Sequence, residues 1–273
     1  MSSLDLSAAR LEALAHLALT AGHEIERFRA AGFGARHKED GSLVTEADHA
    51  AQAIILDGLE VIAHDIPVVA EEEAAAGVDP ACGGRFFLVD PLDGTRDFVE
   101  TDLGEYTVNI AYVEAGRPRL GVIYAPAHDA LYAGGPSGAW RQVKGVREAL
   151  LRPAVPASSG LRAVVSRRSR GAQLERFLAA AAPGGRVVGS SAMKFTRLAD
   201  GEADLYPRFS PVSEWDVAAG DALLSALGGG VMTPEGAPLP YGQRVRRYEV
   251  SRFIAFSNDA AKQAALAAWA PAG

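Results

Sequence analysis

Apolar positions recur at two different periods along this chain, and each change of period marks an element. Over residues 4–31, Leu4, Leu11, Leu14, Leu17, Ile25 and Phe28 fall near helical spacing, which predicts an amphipathic helix closed by Gly32-Phe33-Gly34. A second helix is expected to reach about Ile62, with Ser42 or Thr45 as its cap and Asp48 in its first turn. Val68-Val69-Ala70 reads as a short strand, and the acidic triplet Glu71-Glu72-Glu73 behind it as a solvated loop, although an acidic cluster directly after a buried strand is also a place for one metal-bound carboxylate. Residues 74–85 form a Gly/Pro-bearing loop into Phe86-Phe87-Leu88-Val89, whose unbroken apolar run predicts a buried strand. That strand runs out in Asp90-Pro91-Leu92-Asp93-Gly94, which is turn chemistry. Residues 106–113 and 119–124 read as strands around a hairpin at 114–118. Residues 131–133 and 139–140 continue the antiparallel pattern across the glycine-rich turn 134–138.

Near residue 150 the texture changes. Pro153, Pro156, Ser158, Ser159 and Gly160 mark a linker. Beyond it, strands at 161–166, 186–188, 203–206, 231–233 and 250–256 alternate with helices at 169–182, 191–198, 214–227 and 258–269. This alternation predicts an α/β layer. The expected division is an N-terminal α+β half over residues 1–155 and a C-terminal α/β half over 156–273. Neither glycine cluster is a nucleotide-binding fingerprint: no strand precedes 32–34, and 134–138 lacks the lysine and hydroxyl of a P-loop.

Composition narrows the possible functions. With 22% charged and 48% hydrophobic residues in 273, the chain has the make-up of a soluble protein with a substantial core. A net charge of −7 argues against nucleic-acid binding and requires local cations or metal ions wherever an anionic substrate docks. Cys82 is the single cysteine, so no internal disulfide is expected. The first ten residues lack a signal-peptide pattern and no uncharged stretch approaches bilayer length, so a cytoplasmic protein with no membrane span is expected.

The chemistry concentrates where the central strand ends. Asp90 and Asp93 stand three positions apart. Pro91 fixes its own φ and removes a backbone donor, and Gly94 lets the backbone approach a ligand closely. Asp90, Asp93 and a turn carbonyl such as Leu92 can supply oxygen ligands to a hard divalent cation. An ordinary Asp-Gly turn accounts for the same residues. Asp48 and Asp216 have local explanations too, as acids that complement a helix dipole. His16 and His23 lie on the first helix without partners at ligand spacing and read as packing or surface residues.

Four segments then appear in a recognisable order: Leu43-Val44-Thr45-Glu46-Ala47-Asp48, Ala70-Glu71-Glu72, Val89-Asp90-Pro91-Leu92-Asp93-Gly94-Thr95 and Trp215-Asp216-Val217-Ala218-Ala219-Gly220. Together they resemble the inositol monophosphatase superfamily of metal-dependent, lithium-sensitive phosphatases, over roughly residues 5–257. Gly104-Glu105-Tyr106-Thr107-Val108-Asn109, Gly121-Val122-Ile123-Tyr124-Ala125-Pro126, Gly189-Ser190-Ser191, Lys194-Phe195 and Leu205-Tyr206-Pro207-Arg208-Phe209 look like its CysQ-type 3'(2'),5'-bisphosphate nucleotidase branch.

The resemblance implies a layered αβαβα sandwich with the metal site between its halves. It implies two or three Mg²⁺ ions held by Glu71, Asp90, the Leu92 carbonyl, Asp93 and Asp216. Thr95 and Asp48 would orient and deprotonate the attacking water, and the Gly94 and Thr95 amides would hold phosphate oxygens. Ser190, Ser191, Lys194 and Arg208 would contact the substrate, a 3',5'-bisphosphonucleotide, beside Glu71, Leu92, Asp93 and Asp216. Glu72, Glu73 and Asp97 are left as solvated or outer charges. Members of the family are often homodimers.

The chain departs from the branch at Arg96-Asp97-Phe98-Val99, and at Thr101-Asp102-Leu103, where a more basic approach to Gly104 is expected. Both departures bear on substrate preference rather than on the metal set. Another small phosphomonoester, such as inositol phosphate, histidinol phosphate or fructose 1,6-bisphosphate, is the nearest alternative. A non-catalytic metal- or nucleotide-binding regulator is the second, and the intact acidic set speaks against it.

Overall fold

A computed structural model describes residues 5–37, 43–80, 82–153, 160–182 and 184–269. The first half contains α1 (Ala8–Ala31), β1 (Ala35–His37), β2 (Leu43–Thr45), α2 (Glu46–Ala63), β3 (Val68–Ala70), α3 (Glu71–Ala75), β4 (Arg85–Asp93) and α4 (Thr95–Glu100). It continues through β5 (Thr107–Glu114), β6 (Arg117–Ala125), β7 (Ala130–Gly135), β8 (Gly138–Val143) and β9 (Val146–Ala149). The second half contains β10 (Ala163–Ser166), α5 (Ala172–Ala181), β11 (Arg186–Gly189), α6 (Met193–Ala199), β12 (Leu205–Arg208) and β13 (Val212–Ser213). After these come α7 (Ala218–Ala226), β14 (Gly230–Met232), β15 (Glu249–Val250), β16 (Phe253–Phe256) and α8 (Asp259–Trp269).

Burial of apolar faces stacks these elements into an αβαβα sandwich. Leu11, Leu14, Ala18 and Ile25 of α1, with Ile55 and Leu59 of α2, pack on one face of a seven-stranded sheet ordered β3 to β9. The other face of that sheet takes α6 and α7, whose Phe195, Leu223 and Leu224 fill the space toward a second sheet. The second sheet has five strands in the order β11-β10-β12-β16-β14. Its far face is covered by α5 and α8. In the first sheet β3 and β4 are parallel and the remaining pairs antiparallel; in the second, β11, β10 and β12 are mutually parallel. No helix among the described residues is long and apolar enough to cross a membrane.

Gly121 and Gly134 face each other across β6 and β7. A Cβ on Gly121 would lie 2.4 Å from the Ala219 carbonyl oxygen, and one on Gly134 would lie 2.6 Å from Leu223 Cα. The paired glycines form a flat floor on which the α7 backbone rests, and α7 in turn fixes the Asp216 segment over the sheet.

The structure differs from the pattern reading in particular places. Glu71-Glu72-Glu73 is the first turn of α3 rather than a loop, and Glu72 is buried, its amide bonded to Gln52 Oε1 at 3.2 Å. The expected helix 214–227 is a 3-10 turn, Glu214–Asp216, followed by α7. The expected strand 250–256 is divided: β15 pairs with β13 in a separate ribbon, while β16 lies between β12 and β14. β9 has no counterpart in the pattern reading: all four of its residues are exposed, and Val146 and Ala149 enclose two charged residues without strand alternation. The second helix is capped by Thr45; Ser42 and most of the linker, residues 154–159, lie outside the described residues.

Candidate active site

β4 carries the acidic pair into place. Its register with β5 shifts between Asp90↔Asn109 and Asp93↔Thr107, so an extra residue bulges out at Pro91-Leu92, where proline cannot serve the ladder. Asp90 stays buried and accepts the Leu92 amide at 3.1 Å. Asp93 Oδ2 accepts Asn109 Nδ2 at 3.4 Å. Parallel pairing of β3 with β4 ends at Ala70↔Val89, so Glu71 emerges beside Asp90. From the other half, Asp216 closes the 3-10 turn and accepts the Ser213 amide at 2.7 Å.

Oxygens of Asp90, Asp93 and Asp216 lie within 4.8 Å of one another. Glu71 stands outside this trio, but its charge raises the pKa of all three and of Asp48. Burial, and then repulsion from Glu71, Asp93 and Asp216, holds Asp90 well above the ordinary carboxylate range. Burial raises Asp93 against the pull of Lys194. Burial, then the charges of Asp93 and Glu71, push Asp216 up to about 7. A cluster of hard oxygen donors that repel one another so strongly fits a small divalent cation, which would supply the missing positive charge.

Thr95 opens α4 directly after Gly94, whose φ of +90° admits few other residues. The Thr95 hydroxyl lies 3.0 Å from Asp48 Oδ1 and 3.0 Å from the Leu92 carbonyl. Asp48 comes from the first turn of α2, where its other oxygen accepts the Thr45 amide at 2.7 Å and the Thr45 hydroxyl at 2.5 Å. Asp48 is therefore both the first-turn acid of α2 and a neighbour of Thr95: one oxygen serves each contact. Burial raises the Asp48 pKa against the bonds from Thr45 and Thr95.

Asp93, Gly94 and Asp216 border a cleft of about 270 Å³ whose other wall is cationic. Lys194, only 4% exposed, donates to the Ser191 carbonyl and lies over the Tyr206 ring. Burial lowers its pKa to about 8, with Asp93 pulling the other way. Arg208 also lines the cleft, its Nε bonded to the Ser210 carbonyl at 3.2 Å. The Ser190 hydroxyl bonds Asp97 and the Ser191 hydroxyl bonds the Glu105 carbonyl at 2.8 Å, so both protons are engaged within the protein.

A model of the inositol monophosphatase family matches residues 8–270. The chain belongs to this family. The 3'(2'),5'-bisphosphate nucleotidase CysQ of Shigella flexneri is 41% identical over 208 residues, 76% of this chain and 82% of that protein. The enzyme of the same name from Buchnera aphidicola is 35% identical over 258 residues, 94% of each. Among solved structures, CysQ from Bacteroides thetaiotaomicron aligns with a TM-score of 0.72 at 29% identity, covering 91% of this chain and 97% of that one.

Members of the inositol monophosphatase family are metal-dependent phosphatases, and the acidic trio is a donor set of the kind such chemistry needs. Around it stand residues to which sequence reasoning assigned no place in the site. Asp97 is 2% exposed rather than solvated, and it receives Ser190 and faces Arg168 at 3.5 Å. Glu105 is buried between Arg167 and Arg197. Arg168, Ser166 and Ser169 line the cleft. The signal that could have found them is Ser166-Arg167-Arg168-Ser169-Arg170, a basic and hydroxyl-rich run directly after a buried strand.

Proposed function

We propose that this protein is a Mg²⁺-dependent 3'-nucleotidase that removes the 3'-phosphate of adenosine 3',5'-bisphosphate, and of its 5'-phosphosulfate relative. The observation that carries the reading is a single cleft with two opposite poles. Asp93 and Asp216 make one and Lys194 and Arg208 the other. A substrate with two phosphates makes use of both; a monophosphate needs only the first. The names of the CysQ relatives point the same way.

Asp90, Asp93, Asp216, Glu71 and the Leu92 carbonyl would hold two or three Mg²⁺ ions. When bound, these ions neutralise phosphate charge and acidify water. The protein's own part in the chemistry falls to Thr95 and Asp48. Thr95 has one hydroxyl hydrogen and two acceptors at 3.0 Å, and Asp48 Oδ1 is the one that can keep a proton. A water placed at Thr95 would give its proton to the threonine oxygen as Thr95 passes its own to Asp48. Asp48 is aimed for this by its bonds to Thr45. The Gly94 and Thr95 amides, at a helix start without a side-chain cap, would hold oxygens of the phosphate being cleaved. Lys194 and Arg208 would hold the other phosphate. With their hydroxyl protons engaged, Ser190 and Ser191 would act through backbone groups and by shaping the wall.

The test is phosphate release from adenosine 3',5'-bisphosphate, inositol 1-phosphate and fructose 1,6-bisphosphate in parallel, with and without Mg²⁺ and Li⁺. Preference for the nucleotide, lost without Mg²⁺ and inhibited by Li⁺, is expected. Preference for a sugar or inositol phosphate would keep the metal chemistry and discard the nucleotide. No release from any of the three would favour a non-catalytic binding protein. A homodimer, the assembly the family resemblance implies, is checked by light scattering.

A further inference from the structure

Three parallel strands, β11, β10 and β12, end at the same edge of the second sheet, with β10 in the middle. Ligands of parallel sheets collect beyond such C-terminal edges. β11 delivers Ser190 and Ser191 there, and β12 delivers Arg208. The middle strand ends at Ser166 and delivers two adjacent arginines whose environments diverge. Arg167 turns onto the buried carboxylate of Glu105, which Arg197 also approaches at 3.4 Å. Its charge is committed to joining the two halves of the fold. Arg168 lines the cleft with its side chain 52% exposed. Its acidic neighbours, Asp97 at 3.5 Å and Glu100 at 3.7 Å, are at long range for charge-assisted bonds. Asp97 already accepts the Ser190 hydroxyl, and the Glu100 side chain is half exposed. Ion pairs of this kind are weak and readily exchanged.

The other two cations of the cleft are more constrained. Lys194 is buried, tied to the Ser191 carbonyl and drawn electrostatically toward Asp93. Arg208 has its Nε engaged by the Ser210 carbonyl. Arg168 is the most exposed of the three, and its acidic partners lie at 3.5 and 3.7 Å. We propose that Arg168 is a specificity-determining residue that leaves Asp97 and Glu100 to grip the phosphate not being cleaved, the 5'-phosphate of the bisphosphonucleotide. The assignment rests on the 3'-nucleotidase reading for the identity of the substrate. A planar guanidinium suits this task because it can give two parallel hydrogen bonds to one phosphate, which lysine cannot.

The test compares adenosine 3',5'-bisphosphate with adenosine 3'-monophosphate, which lacks the second phosphate. In Arg168→Gln, kcat/KM for the bisphosphate is expected to fall roughly 10- to 100-fold, mainly through KM, as for loss of a charged hydrogen-bond partner. The monophosphate should be unaffected, and Arg168→Lys should recover part of the loss. An unchanged melting temperature shows that the variant folds, as expected for an exposed side chain. Equal losses on both nucleotides, or no loss on either, overturn the proposal. A second arm titrates wild type and Arg168→Gln with 5'-AMP and with adenosine in the presence of Mg²⁺. Weaker binding of 5'-AMP alone supports the proposal, and unchanged 5'-AMP binding overturns it. If wild type hydrolyses neither nucleotide, the 3'-nucleotidase reading falls, while the role of Arg168 is still decided by the 5'-AMP titration.

Discussion

Thr95 carries one hydrogen between two acceptors, and that arrangement makes its role measurable. Thr95→Val should lower kcat by roughly 10²- to 10⁴-fold, the usual range for a positioned proton-transfer group, with KM nearly unchanged. Thr95→Ser keeps the hydroxyl and should retain most of the rate; steady-state kinetics at saturating Mg²⁺ check both. Asp93→Asn keeps shape but removes a charge from the trio within 4.8 Å. It should abolish turnover, and near-normal phosphate release at saturating Mg²⁺ would overturn the ligand assignment. At this scale the sequence was informative about residue type and ambiguous about role. Asp48 looked like a helix-cap acid, and it is one, through Oδ2. The proton-accepting role proposed for it depends on Oδ1 meeting Thr95 from a segment 47 positions away. Asp97 read as either a solvated or an outer charge, because no local pattern reveals that Ser190 and Arg168 will approach it.

At the scale of elements, α7 has the most to transmit. It lies against Gly121 and Gly134, and the 3-10 turn just before it holds Asp216. Gly134→Ala would put a methyl 2.6 Å from Leu223 Cα, a backbone atom that cannot rotate away. The fold should lose about 1–3 kcal/mol, as in overpacked cores, measured by urea unfolding. Mg²⁺ affinity should weaken with it, because lifting α7 also lifts Asp216; unchanged affinity would mean that the turn is held independently of the helix. Most helices and strands were legible from apolar period alone. Two of the misreadings share one cause. The helix expected at 214–227 breaks because the buried Glu214 carboxylate receives the Gly242 and Gln243 amides at 2.6 and 2.8 Å. Strand 250–256 divides because Val250 pairs with Val212 while Phe253–Phe256 joins the main sheet. In both places a partner distant in sequence outweighs the local pattern.

For the whole molecule, the acidic site sets a dependence of stability on pH and metal. Asp90, Asp93 and Asp216 have folded pKa values above the usual carboxylate range, and that of Asp216 is about 7. The folded state therefore binds protons more tightly than the unfolded chain does. The contribution of Asp216 to metal-free stability is fully present below about pH 4 and is lost as pH rises through about 7, and Asp90 and Asp93 act in the same direction. Between about pH 4 and about pH 7 this group of acids should lower the metal-free melting temperature as pH rises, and Asp216→Asn should flatten that slope. Mg²⁺ competes with protons for the same oxygens, so its stabilisation should be largest at the alkaline end. At a concentration 100 times its Kd it should add about 2.7 kcal/mol there. Differential scanning fluorimetry across pH, with and without Mg²⁺, reads both effects. A Mg²⁺ shift that grows as pH falls would contradict the site.

The sequence by itself determined the periodicities, the order of most elements and the acidic segments, because helix period, strand alternation and turn residues act over a few neighbours. It carried the family resemblance for the same reason, in short runs such as Asp90-Pro91-Leu92-Asp93-Gly94-Thr95. Tertiary structure alone decided which acids meet, since Asp90 and Asp93 end β4 while Asp216 comes from the turn before α7, far along the chain. It alone separated Arg167 from Arg168, adjacent residues of one type, by turning one onto Glu105 and leaving the other over the cleft. Local patterns specify how a segment folds, whereas the partner of a charge is set by the packing of segments far apart in the chain.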